Sequence, residues 1–327
     1  MTTDLLIIGG GPAGLCAAIS GASEGLNIKL LDNGQSLGGQ ARESSAIENY
    51  PGFPGGVTGD KLMGCFVKQA QDFENSFICP CNVAKISRNN KTGLITVMTD
   101  DYREFESRSV LISIGLQYRI LDAAGIGPLM GRGVYYGAPT HMLVHPVARK
   151  IAVVGGANSA GQAVEKLATV NPKNQIKLLI RGTIEEKMST YLITRIRALK
   201  NVEIYEHCSV VEVFGRSELE SVTIKSATGL LTDHEMDAMF IFIGAMPRTL
   251  WLRNTIELDK DKYILTGSDL SQETINSSPS PILQFETSMT GVFAAGDVRS
   301  GSTKRVAVAS GEGANALQQI HKYLANS

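Results

Sequence analysis

The chain has 327 residues, 43% of them hydrophobic, which is more than one ordinary domain and enough for two independent cores. Its 31 basic and 32 acidic residues leave a net charge of −1, so no one-signed field would gather nucleic acid or an anionic membrane. The apolar opening Leu5–Ile19 is broken by Gly9, Gly10, Gly11 and Pro12 and falls short of the roughly 20 apolar residues of a membrane span. It follows Asp4 rather than the basic start of a signal peptide. No membrane partner is implied, and a cytoplasmic protein is expected. Five cysteines, at 16, 65, 79, 81 and 208, argue for reduced thiols over a disulfide framework.

In chain order, the segment from Asp4 to Gly9 reads as a buried strand, Pro12 to Ala22 as a helix opened by glycine and proline, and Ile28 to Leu31 as a second buried strand. Strand, glycine turn, helix and strand within about 30 residues make a βαβ unit. An antiparallel stretch follows, with strands at Leu94–Met98 and Val110–Ile114 and an end at Gly115. The βαβ order then returns: strand Ile151–Val154, a turn at Gly155-Gly156-Ala157, a helix from Ser159, and strand Ile176–Ile180. A comparable second passage has strands at Val210–Phe214, Val222–Lys225 and Ala238–Ile243 and stops at Gly244. The two glycines mark expected domain crossings. The expected fold is α/β, with two Rossmann-like dinucleotide-binding domains, the second (116–244) inserted in the first (1–115 with 245–327). The stretch from Thr266 to Pro281, rich in Ser, Thr, Asn and Pro, reads as a surface loop.

Gly9, Gly11 and Gly14 form a GxGxxG between a strand and a helix, the context this motif requires. Gly9 suits the tight turn, Gly11 lets backbone approach a pyrophosphate, and Gly14 lets the helix pack on the strand, with Pro12 and Ala13 at the helix start. Asp32 closes the second strand, where its carboxylate is suited to ribose hydroxyls. The motif alone leaves open whether FAD or a nicotinamide dinucleotide binds.

At Gly38-Gly39-Gln40, at Ile47-Glu-Asn49-Tyr-Pro-Gly-Phe-Pro54 and at Gly291-Val-Phe-Ala-Ala-Gly296-Asp297, the chain resembles the low-molecular-weight thioredoxin reductases. The resemblance covers nearly the whole length and implies FAD at the first site. It also implies that Asp297, beside Gly296, binds the flavin ribitol, and that Gln40 and Asn49, with Gly39, line the flavin. Lys304-Arg305, just before Val306, stands where the family has Arg-Gln ahead of the last helix. Taken as residues alone, Asp297 could cap the final helix and the basic pair could be solvated. A cation at Arg305 near the pyrimidine edge would stabilise anionic reduced flavin.

The same family carries Cys-x-x-Cys-Asp after a Gly-Val-x-Tyr stretch. Here that stretch reads Gly133-Val-Tyr-Tyr-Gly137-Ala-Pro-Thr140-His141, with Gly137 and Thr140 at the cysteine places. Neither side chain can form a thiolate or a mixed disulfide. Cys79 and Cys81, if extended, would share one face about 6.6 Å apart, poorly placed for a bond. His141, at the place of the family's aspartate, is a candidate acid or base, with a hydrogen-bonded surface histidine as the alternative. Tyr135 and Tyr136 are either packing residues or shields for the flavin.

In the second unit Gly155 and Ala160 keep the ends of the motif, Asn158 and Ser159 open the helix, and Ala157 replaces the middle glycine. The resemblance places a His-Arg-Arg run for the NADPH 2′-phosphate where this sequence has Arg181-Gly182-Thr183; Arg195 and Arg197 are candidates for further cations or, on a helix, equally for solvent-facing residues. No acid closes that strand, which favours NADPH over NADH. The sequence thus points to an FAD oxidoreductase, reduced by NADPH, that passes electrons to a non-dithiol acceptor, a small molecule or a redox protein. Three alternatives are a thiol-disulfide reductase or oxidase using partner thiols, a reductase with a donor such as ferredoxin, and a non-catalytic flavin-binding module. The resemblance further implies a homodimer.

Overall fold

The structure, a computed structural model, describes residues 2–44, 47–73, 76–89, 91–137, 149–278 and 280–326. It divides into two compact units, Met1–Gln117 with Met246–Ser327, and Tyr118–Ala245. In chain order the elements are β1 (Thr3–Ile8), α1 (Pro12–Ser23), β2 (Ile28–Leu31), α2 (Gly59–Asp72), β3 (Ser76–Ile78), β4 (Val83–Arg88), β5 (Ile95–Thr99), β6 (Glu104–Ile112), β7 (Gln117–Tyr118), α3 (Ile126–Leu129) and β8 (Val134–Tyr136). They continue as β9 (Lys150–Val154), α4 (Asn158–Val170), β10 (Gln175–Leu179), α5 (Thr190–Arg197), β11 (Val202–Tyr205), β12 (Ser209–Phe214), β13 (Ser221–Lys225), β14 (Leu231–Glu235) and β15 (Ala238–Ile241). Last come β16 (Ala245–Met246), α6 (Gln272–Ser277), β17 (Val292–Ala294) and α7 (Val306–Asn326).

In the first unit β3, β2, β1 and β6 lie side by side in parallel, and β17 adds parallel to the end of β6. The start of β6 turns instead into an antiparallel meander with β5 and β4. Side chains alternate across β1, so Leu5 and Ile7 meet Leu15 of α1 and Leu317 of α7, while Leu6 and Ile8 meet Ile86, Ile95 and Val97 of the meander. Apolar residues at both phases of the strand therefore bury two faces, giving three layers: helices, parallel sheet, meander. Small residues let α1 and α7 approach closely, since a Cβ at Gly313 would strike the Ala13 carbonyl.

The second unit repeats this plan. Its sheet runs β11, β10, β9, β15 and β8, all parallel. Val164 and Leu167 of α4 and Leu192 and Ile196 of α5 cover one face through Ile151 and Val153. Val210, Val213, Val222 and Ile224 of the β12–β13–β14 meander cover the other through Ala152 and Val154. Both units are α/β Rossmann-like folds in which parallel strands place their carboxyl ends, and the turns that follow them, along one edge.

One sequence expectation changes. The 266–281 stretch is no plain loop: it holds a 3-10 turn at Gly267–Asp269 and α6, whose N-cap Ser271 accepts from the Thr274 amide at 3.3 Å. Glu257 receives the Ser271 amide at 2.9 Å and the Thr274 hydroxyl, and Thr266 and Leu270 are buried. The polar composition serves a cap, a role that only the distant Glu257 reveals.

Candidate functional site

The first glycine turn joins β1 to α1. Pro12 opens the helix, where a missing N–H costs nothing, and Gly11 is the N-cap with no side chain accepting from the first-turn amides. The helix therefore presents free donors and the positive end of its dipole. Gly9 has φ +107°, and a Cβ there would run into the Ser113 backbone; a Cβ at Gly14 would strike the Gly9 carbonyl. At Gly11, by contrast, a Cβ would meet nothing within 4 Å. Packing accounts for two glycines, and the open space before the third is a cradle that fits a pyrophosphate.

The carboxylate of Asp32, buried at the end of β2, accepts from the Gly10 amide at 2.6 Å and the Gly34 amide at 2.8 Å, which fixes it at the rim of this cradle. Behind the turn, the Ser113 hydroxyl donates to the Gly9 carbonyl at 2.8 Å.

Two further segments reach the cradle. The Gly38 amide donates to the Gly10 carbonyl at 2.8 Å, and Gly39, at φ +55°, lies so close that a Cβ there would stand 3.2 Å from the Gly11 Cα. Arg42, paired with Asp60 at 2.8 Å and donating to the Leu37 carbonyl at 3.0 Å, pins the 3-10 turn that carries Gln40. The Gln40 amide group donates to the Leu116 carbonyl at 2.8 Å, and Asn49 is exposed in the turn bracketed by the Ile47–Val57 bridge.

From the other end of the chain, a Cβ at Gly296 would stand 3.0 Å from that of Ala13 and 3.7 Å from that of Ala309 on α7. The adjoining Asp297 carboxyl is pushed above its ordinary value by burial, the nearby Lys304 cation opposing this. Asp297 makes no cap to α7 among the described residues. Lys304 donates to the Asp297 carbonyl at 2.7 Å and sits 4.4 Å from the Tyr263 ring centre, so it is not merely solvated. Arg305 is exposed beside half-buried Val306, and its carbonyl accepts the Ala309 amide at 2.9 Å as α7 begins. Gly9, Gly11, Pro12, Ala13, Gly14, Asp32, Gly39 and Gly296 are thus brought together around one helix start.

A residue that the sequence pattern does not mark holds this arrangement. Glu312, inside α7, accepts from the Gly296 amide at 2.8 Å and takes Arg299 through both carboxylate oxygens, at 2.8 and 3.2 Å. Both side chains are largely buried, and the guanidinium lies 5.2 Å from the Phe285 ring centre. Glu312 stands among small residues in the sequence, a setting for close helix packing, and nothing local identifies it as an anchor.

The second turn differs. Gly155 at φ +150° again has no room for a Cβ, because of the Phe242 carbonyl. Ala157 caps α4, so a methyl group occupies the place that is bare in the first unit. Asn158 is tied to Ser189 in both directions, at 2.9 and 2.8 Å, while Ser159 is exposed and Ala160 buried. Arg181 is exposed after β10. Arg195 and Arg197, expected as further cations, are in ion pairs with Glu165 at 3.2 Å and Glu185 at 2.6 Å. They do not converge on Arg181 in any described contact.

Both tyrosines have partners within the second unit. Tyr135 stacks on Phe240 with ring centres 5.8 Å apart and donates to the Gly131 carbonyl at 3.1 Å. Tyr136 stacks on Tyr118 at 5.6 Å and accepts the Leu121 amide at 2.8 Å. His141 and Thr140 lie outside the described residues. Cys79 is exposed and Cys81 buried, so the pair does not share a face as an extended segment would require, and all five thiols are free. Burial pushes the Cys16, Cys81 and Cys208 thiols up, away from reactive thiolate.

Two three-layer dinucleotide-binding units, the first with a bare glycine cradle, define a thioredoxin reductase-like flavoprotein oxidoreductase. The chain belongs to the pyridine nucleotide-disulphide oxidoreductase family, which it matches over residues 3–313. It is 31% identical over 331 residues to the thioredoxin reductase of Rickettsia felis, covering 99% of each chain. It is 29% identical over 324 residues to a component of the alkyl hydroperoxide reductase of Escherichia coli, where it spans 98% of its own length and 58% of that protein's. Among solved structures it resembles the thioredoxin reductase of Streptococcus pyogenes, with a TM-score of 0.75 and 28% identity over 100% of this chain and 99% of that one.

Proposed function

We propose that this protein is an FAD-dependent oxidoreductase, reduced by a pyridine nucleotide, that delivers electrons from flavin to an acceptor other than a dithiol of its own chain. When bound, the flavin supplies acceptance of a hydride and its release as electrons. The chain's residues supply the setting. The first-turn amides of α1 face the pyrophosphate, Asp32 holds a ribose hydroxyl, and Asp297, held by the Gly296–Glu312 anchor, takes the ribitol. Arg305 provides positive charge toward the reduced ring.

The observation that carries the reading is the contrast between this cradle and the thiols. Gly11 opens onto free space within reach of Asp32, Gly39 and Gly296, while no two cysteines have two residues between them and the neighbouring pair is split between surface and core. A quinone, another small molecule or a redox protein fits as acceptor. The family description and the thioredoxin reductase relatives favour a second reading, reduction of a partner's disulfide directly at the flavin, assisted by exposed Cys65 or Cys79. A homodimer is the proposed assembly; sedimentation at the mass of one 35.0 kDa chain would contradict it.

The deciding experiment is anaerobic mixing of the flavin-loaded protein with NADH, NADPH and reduced ferredoxin in turn, followed by a dye or quinone. Bleaching of the flavin by a pyridine nucleotide and reoxidation by the acceptor is expected. Bleaching by ferredoxin alone would replace the donor, and no turnover with any acceptor would leave a non-catalytic flavin module.

A further inference from the structure

The hydrogen-bond register makes the two glycine turns comparable residue by residue. The Gly9 amide donates to the Leu31 carbonyl at 2.8 Å, and the Gly155 amide donates to the Leu179 carbonyl at 3.0 Å. One residue on, the Cys81 amide donates to the Asp32 carbonyl at 2.7 Å, as the Cys208 amide does to that of Ile180 at 3.0 Å. Asp32 and Ile180 therefore hold the same place, and Gly34 and Gly182 follow at the same offset.

Ile180 is buried, its side chain is packed against Gly156, and it offers no oxygen to a ribose. An acid arrives from another direction. A side-chain carbon at Gly182 would collide with the carboxylate of Glu186, which accepts from the Thr183 amide at 3.1 Å and closes a capping box over the 3-10 turn Ile184–Glu186. The glycine at 182 makes room for that carboxylate. Beside it, Glu206 accepts the Ile184 amide at 2.7 Å.

Two of the expected cations are engaged elsewhere. Arg195 and Arg197 are committed to Glu165 and Glu185. Arg181, just after β10, and Lys187, beside Glu186, make no side-chain hydrogen bond or ion pair among the described residues. Free ribose hydroxyls can donate to a carboxylate at the end of the second strand of a βαβ unit. A 2′-phosphate would bring like charge against Glu186, and two of the cations expected for it, Arg195 and Arg197, are already paired.

We propose that Glu186 is a specificity-determining residue: it selects a pyridine nucleotide without a 2′-phosphate, so that the second unit takes NADH in preference to NADPH. This reverses the preference drawn from the sequence, in which the apolar end of β10 leaves the ribose position without an acid. The inference rests on the reading that the second unit binds a pyridine nucleotide.

Calorimetric titration of the flavin-loaded protein with NAD⁺, NADP⁺, 5′-AMP and 2′,5′-ADP tests it without turnover. NAD⁺ and 5′-AMP should bind about tenfold or more tightly than their 2′-phosphorylated counterparts. Glu186→Gln keeps an acceptor for the Thr183 amide but removes the charge, and should improve NADP⁺ binding about tenfold while NAD⁺ changes less than about threefold. NADP⁺ binding as tightly as NAD⁺, no binding of any of the four, or an unchanged ratio in the variant would each overturn the proposal. Selective NAD⁺ binding with no flavin bleaching by NADH would leave the selection standing and refute the donor role.

Discussion

Two turns of the same hydrogen-bond register carry different chemistry at almost every position a ligand would touch. In the first unit Gly11 is bare and Asp32 is built into the turn through Gly10 and Gly34. In the second, Ala157 fills the bare place, Ile180 replaces the acid, and a carboxylate comes from the following 3-10 turn. The lesson is that glycines in a GxGxxG turn divide into those the fold needs and those a ligand needs. Gly9 and Gly155 have the same kind of positive-φ constraint, each against the residue that follows its neighbouring strand (Ser113 after β6, Phe242 after β15), while Gly11 has none.

The largest expected effect breaks that division directly. Gly14→Val drives a side chain into the Gly9 carbonyl and should destabilise the first unit by about 4 kcal/mol or more in urea unfolding. Gly11→Val, three residues away, should leave apoprotein stability within about 1 kcal/mol yet weaken flavin retention at least about tenfold, measured by fluorescence of released flavin. Equal destabilisation by both would erase the distinction between packing and ligand glycines.

Next in size is Glu312→Ala, which strands the Arg299 guanidinium in a largely buried site. A loss of about 3 kcal/mol is expected by denaturant unfolding, with looser flavin as the Gly296 amide loses its acceptor. A wild-type midpoint would show that the pair does not anchor the 296–299 segment.

Smaller still, Arg305→Gln removes the exposed cation before α7 and should lower the two-electron flavin potential by about 15 mV, roughly 0.7 kcal/mol. A dye-equilibrium titration reads this, and no shift would place Arg305 outside the flavin's field.

The smallest effect concerns Asp297 in the apoprotein. Burial raises its folded-state pKa, so the stability carried by its protonated form is present below the unfolded carboxylate pKa of about 3.9 and is lost as pH rises through the raised value. Asp297→Asn escapes that loss. Its apoprotein should match wild type in acid and exceed it slightly near neutrality, while holding flavin less well. A variant less stable than wild type at neutral pH would mean that the carboxylate is not a desolvated charge.

Much of this architecture is legible locally. Apolar runs bounded by glycine, with a helix opened by Pro12, read directly as βαβ units, and Asp32 is placed by its distance along the chain from the turn. What lies outside local pattern is pairing between distant charges. Arg195 and Arg197 read as available cations until Glu165 and Glu185 are seen beside them, and no local pattern marks Glu186, whose carboxylate lies over Gly182. Glu312 and the α6 cap on Glu257 are of the same kind. Cys79 and Cys81 differ for another reason: the extended geometry assumed for them does not hold at the end of β3, where one faces solvent and the other packs under Ile86 and Val97.

On the proposed function the flavin is the chain's own redox store, with no dithiol behind it. Anaerobic reductive titration of the oxidised, flavin-loaded protein with dithionite counts the electrons. Uptake of about two electrons per flavin is the predicted result, and uptake of about four, two of them entering a disulfide, would contradict it.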